Sequence, residues 1–126
     1  MTFDWSNYLH LAEELVRNKP PLLPSEEACM RTAISRSYYS AFCTARNHAR
    51  DQESFRPSRT GEDHGRVIRH FRGAPDHKRR KIGTDLDRLR IDRGRADYDD
   101  NVPRLDRLTQ MSLSQAKEVL RKIKQL

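Results

Sequence analysis

The stretch from Pro24-Ser25-Glu26-Glu27 to about Arg50 constrains the fold most, because Ile34, Tyr38, Ala41 and Ala45 recur there at helical spacing. Ser25 fits an N-cap, and Glu26 and Glu27 fall in the positive first turn. Tyr39 and Phe42 widen the apolar stripe, while Ser35, Ser37, Ser40 and Ala41 are small enough for a neighbouring helix to approach closely. A helix of that length needs partners. With 35% hydrophobic against 34% charged residues, they must be further amphipathic elements around a thin core.

Those partners are legible on both sides. Trp5, Tyr8, Leu9, Ala12, Leu15 and Val16 mark a first helix over Asp4 to Arg17, ended by Asn18-Lys19-Pro20-Pro21. Residues 51 to 63 are polar and broken by Pro57 and Gly61, a surface loop. A short helix follows from His64 to Phe71. After Gly73-Ala74-Pro75, Asp76 starts a longer helix whose buried face is Ile82, Leu86 and Leu89. Asp99-Asp100-Asn101-Val102-Pro103 breaks it and leaves a loop of about ten residues carrying Leu105 and Leu108. Ser112-Leu113-Ser114-Gln115 reads as a capping box opening a closing helix with Leu113, Ala116, Val119, Leu120 and Ile123 inside. No strand pattern or internal repeat interrupts this order. The expectation is one all-α domain over residues 1–126, a four- to five-helix bundle with antiparallel neighbours, burying roughly two thirds of its unfolded surface.

No apolar run approaches the length that spans a bilayer, and Met1 to Leu15 lacks the basic start and apolar centre of a signal peptide. A cytoplasmic chain with no membrane partner is expected. Cys29 and Cys43 lie fourteen positions apart on one helix, about 21 Å along its axis, so they do not pair and are expected as buried thiols.

Charge narrows the partner. The chain carries 25 Lys and Arg against 18 Asp and Glu, a net +7. Residues 46–95 hold fifteen basic and eight acidic side chains, which is the whole excess, together with His48, His64, His70 and His77. Nineteen of the 25 basic residues are Arg, whose planar fork suits phosphate. Nucleic acid is favoured over a merely solvated surface.

Within that window Arg93 departs from the pattern. It continues the Ile82–Leu86–Leu89 stripe where an apolar residue belongs, so it needs a partner. Asp97, one turn on, offers an intrahelical ion pair; alternatively Arg93 faces a groove or second protomer and holds a phosphate, with Arg90 and Arg95 adding positive field. Tyr98 is expected as a packed aromatic at the helix end, within an Asp97-Tyr98-Asp99-Asp100 patch that reads as caps and ion pairs more readily than as an acid–base or metal pair. His64 either caps or packs on the second helix, or moves protons in a basic groove. Arg46 and His48, near the end of the second helix, are candidates for the same groove. The histidines show no metal-binding spacing.

Arg36-Ser37-Tyr38-Tyr39-Ser40-Ala41-Phe42, a loop leading to His64, then Leu86-Asp87-Arg88-Leu89-Arg90 and Arg93-Gly94-Arg95-Ala96-Asp97-Tyr98 together resemble the HEPN domain, over nearly the whole chain. The resemblance implies a four- or five-helix bundle, commonly a homodimer. It also implies a metal-independent endoribonuclease of a toxin–antitoxin or other defence system, with an Arg-x(4–6)-His motif from each of two protomers lining a shared cleft. Arg93 matches the motif's arginine. Tyr98 stands five residues on in place of histidine, and no histidine follows His77. If the chain cuts RNA, Tyr98, Asp97, His64 or a partner's residue must serve beside Arg93. The other role the resemblance implies is a non-catalytic partner of a small nucleotidyltransferase, which needs no histidine. Neither role calls for a cofactor.

Overall fold

The computed structural model describes residues 2–17 and 25–126. Among them are five helices and no strand: α1 (Ser6–Arg17), α2 (Glu26–Gln52), α3 (Asp63–Arg72), α4 (His77–Tyr98) and α5 (Leu105–Lys124). The all-α bundle expected from periodicity is present. Asn18 to Pro21, expected to end the first helix, and Pro24 lie outside the described residues.

The expected Ser25 cap forms, and Asp76 also caps the helix it was expected to start. The Ser25 hydroxyl accepts from the Ala28 N–H at 3.0 Å, and the Asp76 carboxylate accepts from the Arg79 N–H at 3.1 Å, satisfying amides that have no partner inside their helices. At the other end of α4, Arg31 of α2 donates to the carbonyls of Ala96 (3.0 Å), Asp99 (2.6 Å) and Asp100 (3.2 Å). That guanidinium closes the last turn of α4 and pins it to α2.

α2 is the axis of the bundle, packed against all four other helices. Tyr38, Ala41, Ala45 and Ala49 meet Val67 and Phe71 of α3, Ile82, Leu86 and Leu89 of α4, and Ala116 and Val119 of α5 in one core. Each large apolar side chain removed from water there contributes about 2 kcal/mol. Ile34, Ala96, Leu105 and Leu108 form a smaller second cluster. The small residues of α2 are used within the chain: Ser37 and Ser40 are buried, and the Ser40 hydroxyl donates to the Trp5 carbonyl at 2.8 Å. Cys29 and Cys43 are buried free thiols.

The start of α5 corrects the sequence expectation. Leu105 and Leu108 are not in a loop but in the first two turns of α5, and Ser112 is fully buried mid-helix rather than capping it. The stripe Leu105, Leu108, Ser112, Ala116, Val119 and Ile123 is continuous at helical spacing, so burial extends the helix back through a locally plausible cap. Arg104, at φ 54, turns the chain into it from the left-handed region.

α3 and α4 touch at Gly83. A Cβ there would lie 2.5 Å from Arg72 Cγ and 2.6 Å from the Arg72 backbone nitrogen, so only glycine lets the two helices approach this closely. Among the described residues no helix is long and apolar enough to cross a membrane.

Candidate nucleic-acid interface

On α2, Arg36, Tyr39, Cys43, Arg46 and Arg50 follow one another at spacings of three and four, which puts them on one face. Trp5, just before α1, and Tyr8 of α1 cross that face, and the α2–α3 connection brings Arg59 and Thr60 to its far side. The result is a groove of about 930 Å³ with His64 in its wall.

Aromatic rings fix the arginines of this groove. Arg36 Cζ is 4.9 Å from the ring centres of both Tyr8 and Tyr39. Arg46 Cζ is 5.7 Å from Trp5 and 5.9 Å from Phe42, and its guanidinium donates to Asn47 Oδ1. Cation–π contact orients each guanidinium without neutralising it. Arg36, Arg46 and Arg59 have no carboxylate partner among the described residues, whereas Arg50 pairs with Asp51 at 2.8 Å.

Arg59 is held by an unusual turn. Its backbone sits at φ 64, and its N–H donates to Asp63 Oδ2 at 2.9 Å. Asp63 also accepts from the Ser58 N–H (2.9 Å), the Ser58 hydroxyl (2.6 Å) and Arg66 (2.7 Å). Burial pushes the Asp63 carboxyl up, but these donors outweigh it and hold it well below the usual carboxylate range. The loop that presents Arg59 therefore has an anionic staple.

His64, the first turn of α3, stacks on Phe42 at 4.4 Å and on Tyr38 at 5.6 Å, with the Tyr39 ring edge-on at 5.9 Å. Its Nδ1 lies 2.5 Å from the Tyr38 hydroxyl. Burial lowers the His64 pKa, and the charges of Arg90, Arg93 and Arg46 lower it further against the opposing pull of Asp63, so the ring is neutral near pH 7. Burial also raises the Tyr38 pKa, which keeps that hydroxyl protonated. Tyr38 is wholly buried and has no other hydrogen-bond partner for its proton among the described residues, so its O–H donates to Nδ1. The ring proton is then on Nε2, which has no partner in the described chain. His64 thus offers the groove a donor.

The residues expected as a catalytic set are only partly assembled. Arg93 and His64 converge on the same two rings: Arg93 Cζ is 5.4 Å from Tyr38 and 5.7 Å from Tyr39. Arg93 nevertheless does not line the groove. Its side chain is 15% exposed and reaches Asp97 at 3.6 Å, the intrahelical pair read from the sequence, while Asp97 also accepts from the Ser35 hydroxyl at 3.4 Å. Arg93 Nε is buried without a hydrogen-bond partner among the described residues. Tyr98, expected to be packed, is instead 77% exposed at the end of α4.

Of the expected nucleic-acid contacts, Arg46 lines the groove and the other three do not. Arg90 reaches Gly65 at the start of α3, behind His64, and Arg95 with Arg88 flanks the buried Asp92. His48 is taken by Glu53, its Nε2 donating at 2.9 Å, because the chain end of α2 turns that carboxylate inward. Arg36, Arg59, Trp5 and Tyr8 were not singled out for this role from the sequence. The three- and four-residue spacing from Arg36 to Arg50 was the available signal. Comparisons with protein-family models, with curated proteins and with solved structures find no match.

Proposed function

We propose that the chain binds RNA in this groove, as a HEPN-type protein of a prokaryotic toxin–antitoxin or defence module. The carrying observation is that Arg36, Arg46 and Arg59 face one groove with their guanidiniums unneutralised by any described carboxylate. Fixed cations in a concave surface recruit a polyanion, and releasing its counterions drives the association. His64 adds a neutral N–H donor suited to a phosphate oxygen. The choice of RNA among nucleic acids comes from the HEPN resemblance.

The tautomer of His64 favours holding a strand over cutting it. Cleavage through the 2′-hydroxyl needs a group that takes up its proton, and here the Nδ1 lone pair already accepts from Tyr38. Arginine stays protonated and cannot substitute. The engagement of Arg93 by Asp97 favours the same side, and is also what a non-catalytic partner of a nucleotidyltransferase would show.

Fluorescence anisotropy with a uridine octamer over a salt series tests the proposal. Binding should weaken steeply with salt, and the triple variant R36A/R46A/R59A should lose roughly 2 from the slope of log affinity against log salt. Absence of binding at low salt, or an unchanged slope, would overturn it. Incubation of the same RNA with EDTA should leave it intact; ends bearing a 2′,3′-cyclic phosphate, lost in H64A, would instead assign the endoribonuclease activity.

A further inference from the structure

We infer that the groove reads the sugar-phosphate backbone of the strand and leaves its bases outside, so that binding is independent of base identity; this rests on the RNA-binding reading above. Single-strand binders commonly use exposed aromatic faces as platforms for bases. Here the rings that line the groove are already engaged. Tyr8 and Tyr39 hold Arg36 between them, Trp5 and Phe42 flank Arg46, and Phe42 also stacks on His64. A base seeking the face that a ring already gives to its partner must displace a guanidinium or the imidazole.

The same arrangement gives the guanidiniums a direction. A ring contact uses none of a guanidinium's N–H groups: Arg36 has no hydrogen-bond acceptor in the described chain, while Arg46 spends Nε and Nη2 on Asn47 Oδ1 and keeps Nη1. Arg36 and Arg46 are ten residues apart, about 15 Å along α2, so they hold separate phosphates of one strand rather than pinching a single one. His64, stacked on Phe42, provides a further N–H donor on the same wall. The substrate class is therefore a polynucleotide recognised through its spaced phosphates.

Replacing four internal uridines of the octamer with abasic riboses tests this, because the backbone and its charges are kept while the bases go. Affinity should stay within about threefold of the parent octamer. A larger loss overturns the inference, since a base removed from a stacking platform weakens binding at least about fivefold. Failure of both oligonucleotides to bind would instead overturn the RNA-binding reading itself. On the protein side, R36K keeps the charge but lacks the flat fork, and should lose as much affinity as R36A; full retention by R36K would remove the ring-held orientation from the account.

Discussion

The buried Tyr38 hydroxyl donates to Nδ1 of His64 across 2.5 Å, and this one bond decides what the histidine can do at neutral pH. It places the remaining ring proton on Nε2. It also makes protonation of His64 costly, because an imidazolium would carry a proton on Nδ1 and leave the Tyr38 proton without an acceptor. The groups around the ring reinforce this: burial first, then Arg90 and Arg93 of α4 and Arg46 of α2, with Asp63 opposing.

A pH dependence follows with two signs. In the free protein the folded pKa of His64 is lowered, so the unfolded chain binds the extra proton and stability falls as pH drops below about 6.5. A phosphate in the groove reverses the preference, since it favours the imidazolium. RNA affinity should therefore rise severalfold between pH 7.5 and 5.5 as the free protein loses stability. Anisotropy and thermal melts check both trends, and H64Q should flatten the affinity trend. A wild-type affinity flat across that range would separate His64 from the bound strand.

The contact between α3 and α4 sets a second expectation. Because the Cβ of an alanine at position 83 would meet the Arg72 backbone at 2.6 Å, G83A must push the helices apart. Overpacking of this kind costs roughly 1–3 kcal/mol, although alanine is the better helix former. Urea denaturation should show a lower midpoint with an unchanged slope. By contrast G94A, whose Cβ meets nothing within 4 Å, should stabilise the chain by up to about 1 kcal/mol.

How far the sequence carried the fold differs by element. The Ile82–Leu86–Leu89 face, the Ser25 cap and the start of α4 at Asp76 were legible because each is decided by residues within a few positions of one another. The beginning of α5 was not, since Ser112-Leu113-Ser114-Gln115 satisfies a local capping pattern. Burial of Leu105 and Leu108 against Ile34 and Ala96 overrides it, and the contact with Ile34 spans some seventy positions. The site divides the same way. The Arg93–Asp97 pair lies one turn apart and could be read; the groove needed the crossing of α1 over α2 to bring Trp5 to Arg46 and Tyr8 to Arg36.

Glu53 links three helices and gives an acid-range prediction. Its side chain is 14% exposed and accepts from His48 of α2, His70 of α3 and Arg79 of α4 at 2.8–2.9 Å. Burial pushes its carboxyl up, but the bonds from Arg79, His70 and His48 outweigh that and bring it down to about 2. A depressed carboxylate contributes stability that is fully present above about pH 4.5 and is lost as pH falls toward 2. E53Q should destabilise the chain by roughly 2 kcal/mol or more at pH 7 and lose less than wild type between pH 4.5 and 2. Parallel denaturation curves at the two pH values would show whether Glu53 carries that part of the acid sensitivity.

Arg59 combines a strained backbone with a groove charge, and two substitutions separate them. At φ 64 a side chain with a Cβ is strained, and the N–H bond to Asp63 is what keeps the turn closed. Asparagine tolerates the left-handed region and keeps that N–H while removing the guanidinium. R59N should therefore melt within about 0.5 kcal/mol of wild type. Its RNA affinity should nevertheless fall, and its salt slope should shrink by about 0.7, the share of one phosphate contact on a single strand. A β-branched side chain is a poor fit at positive φ, so R59V should lose the same contact and also destabilise the chain by roughly 1–2 kcal/mol. Binding by R59N with wild-type affinity and slope would place the strand away from the α2–α3 connection, along the Arg36–Arg46 line alone.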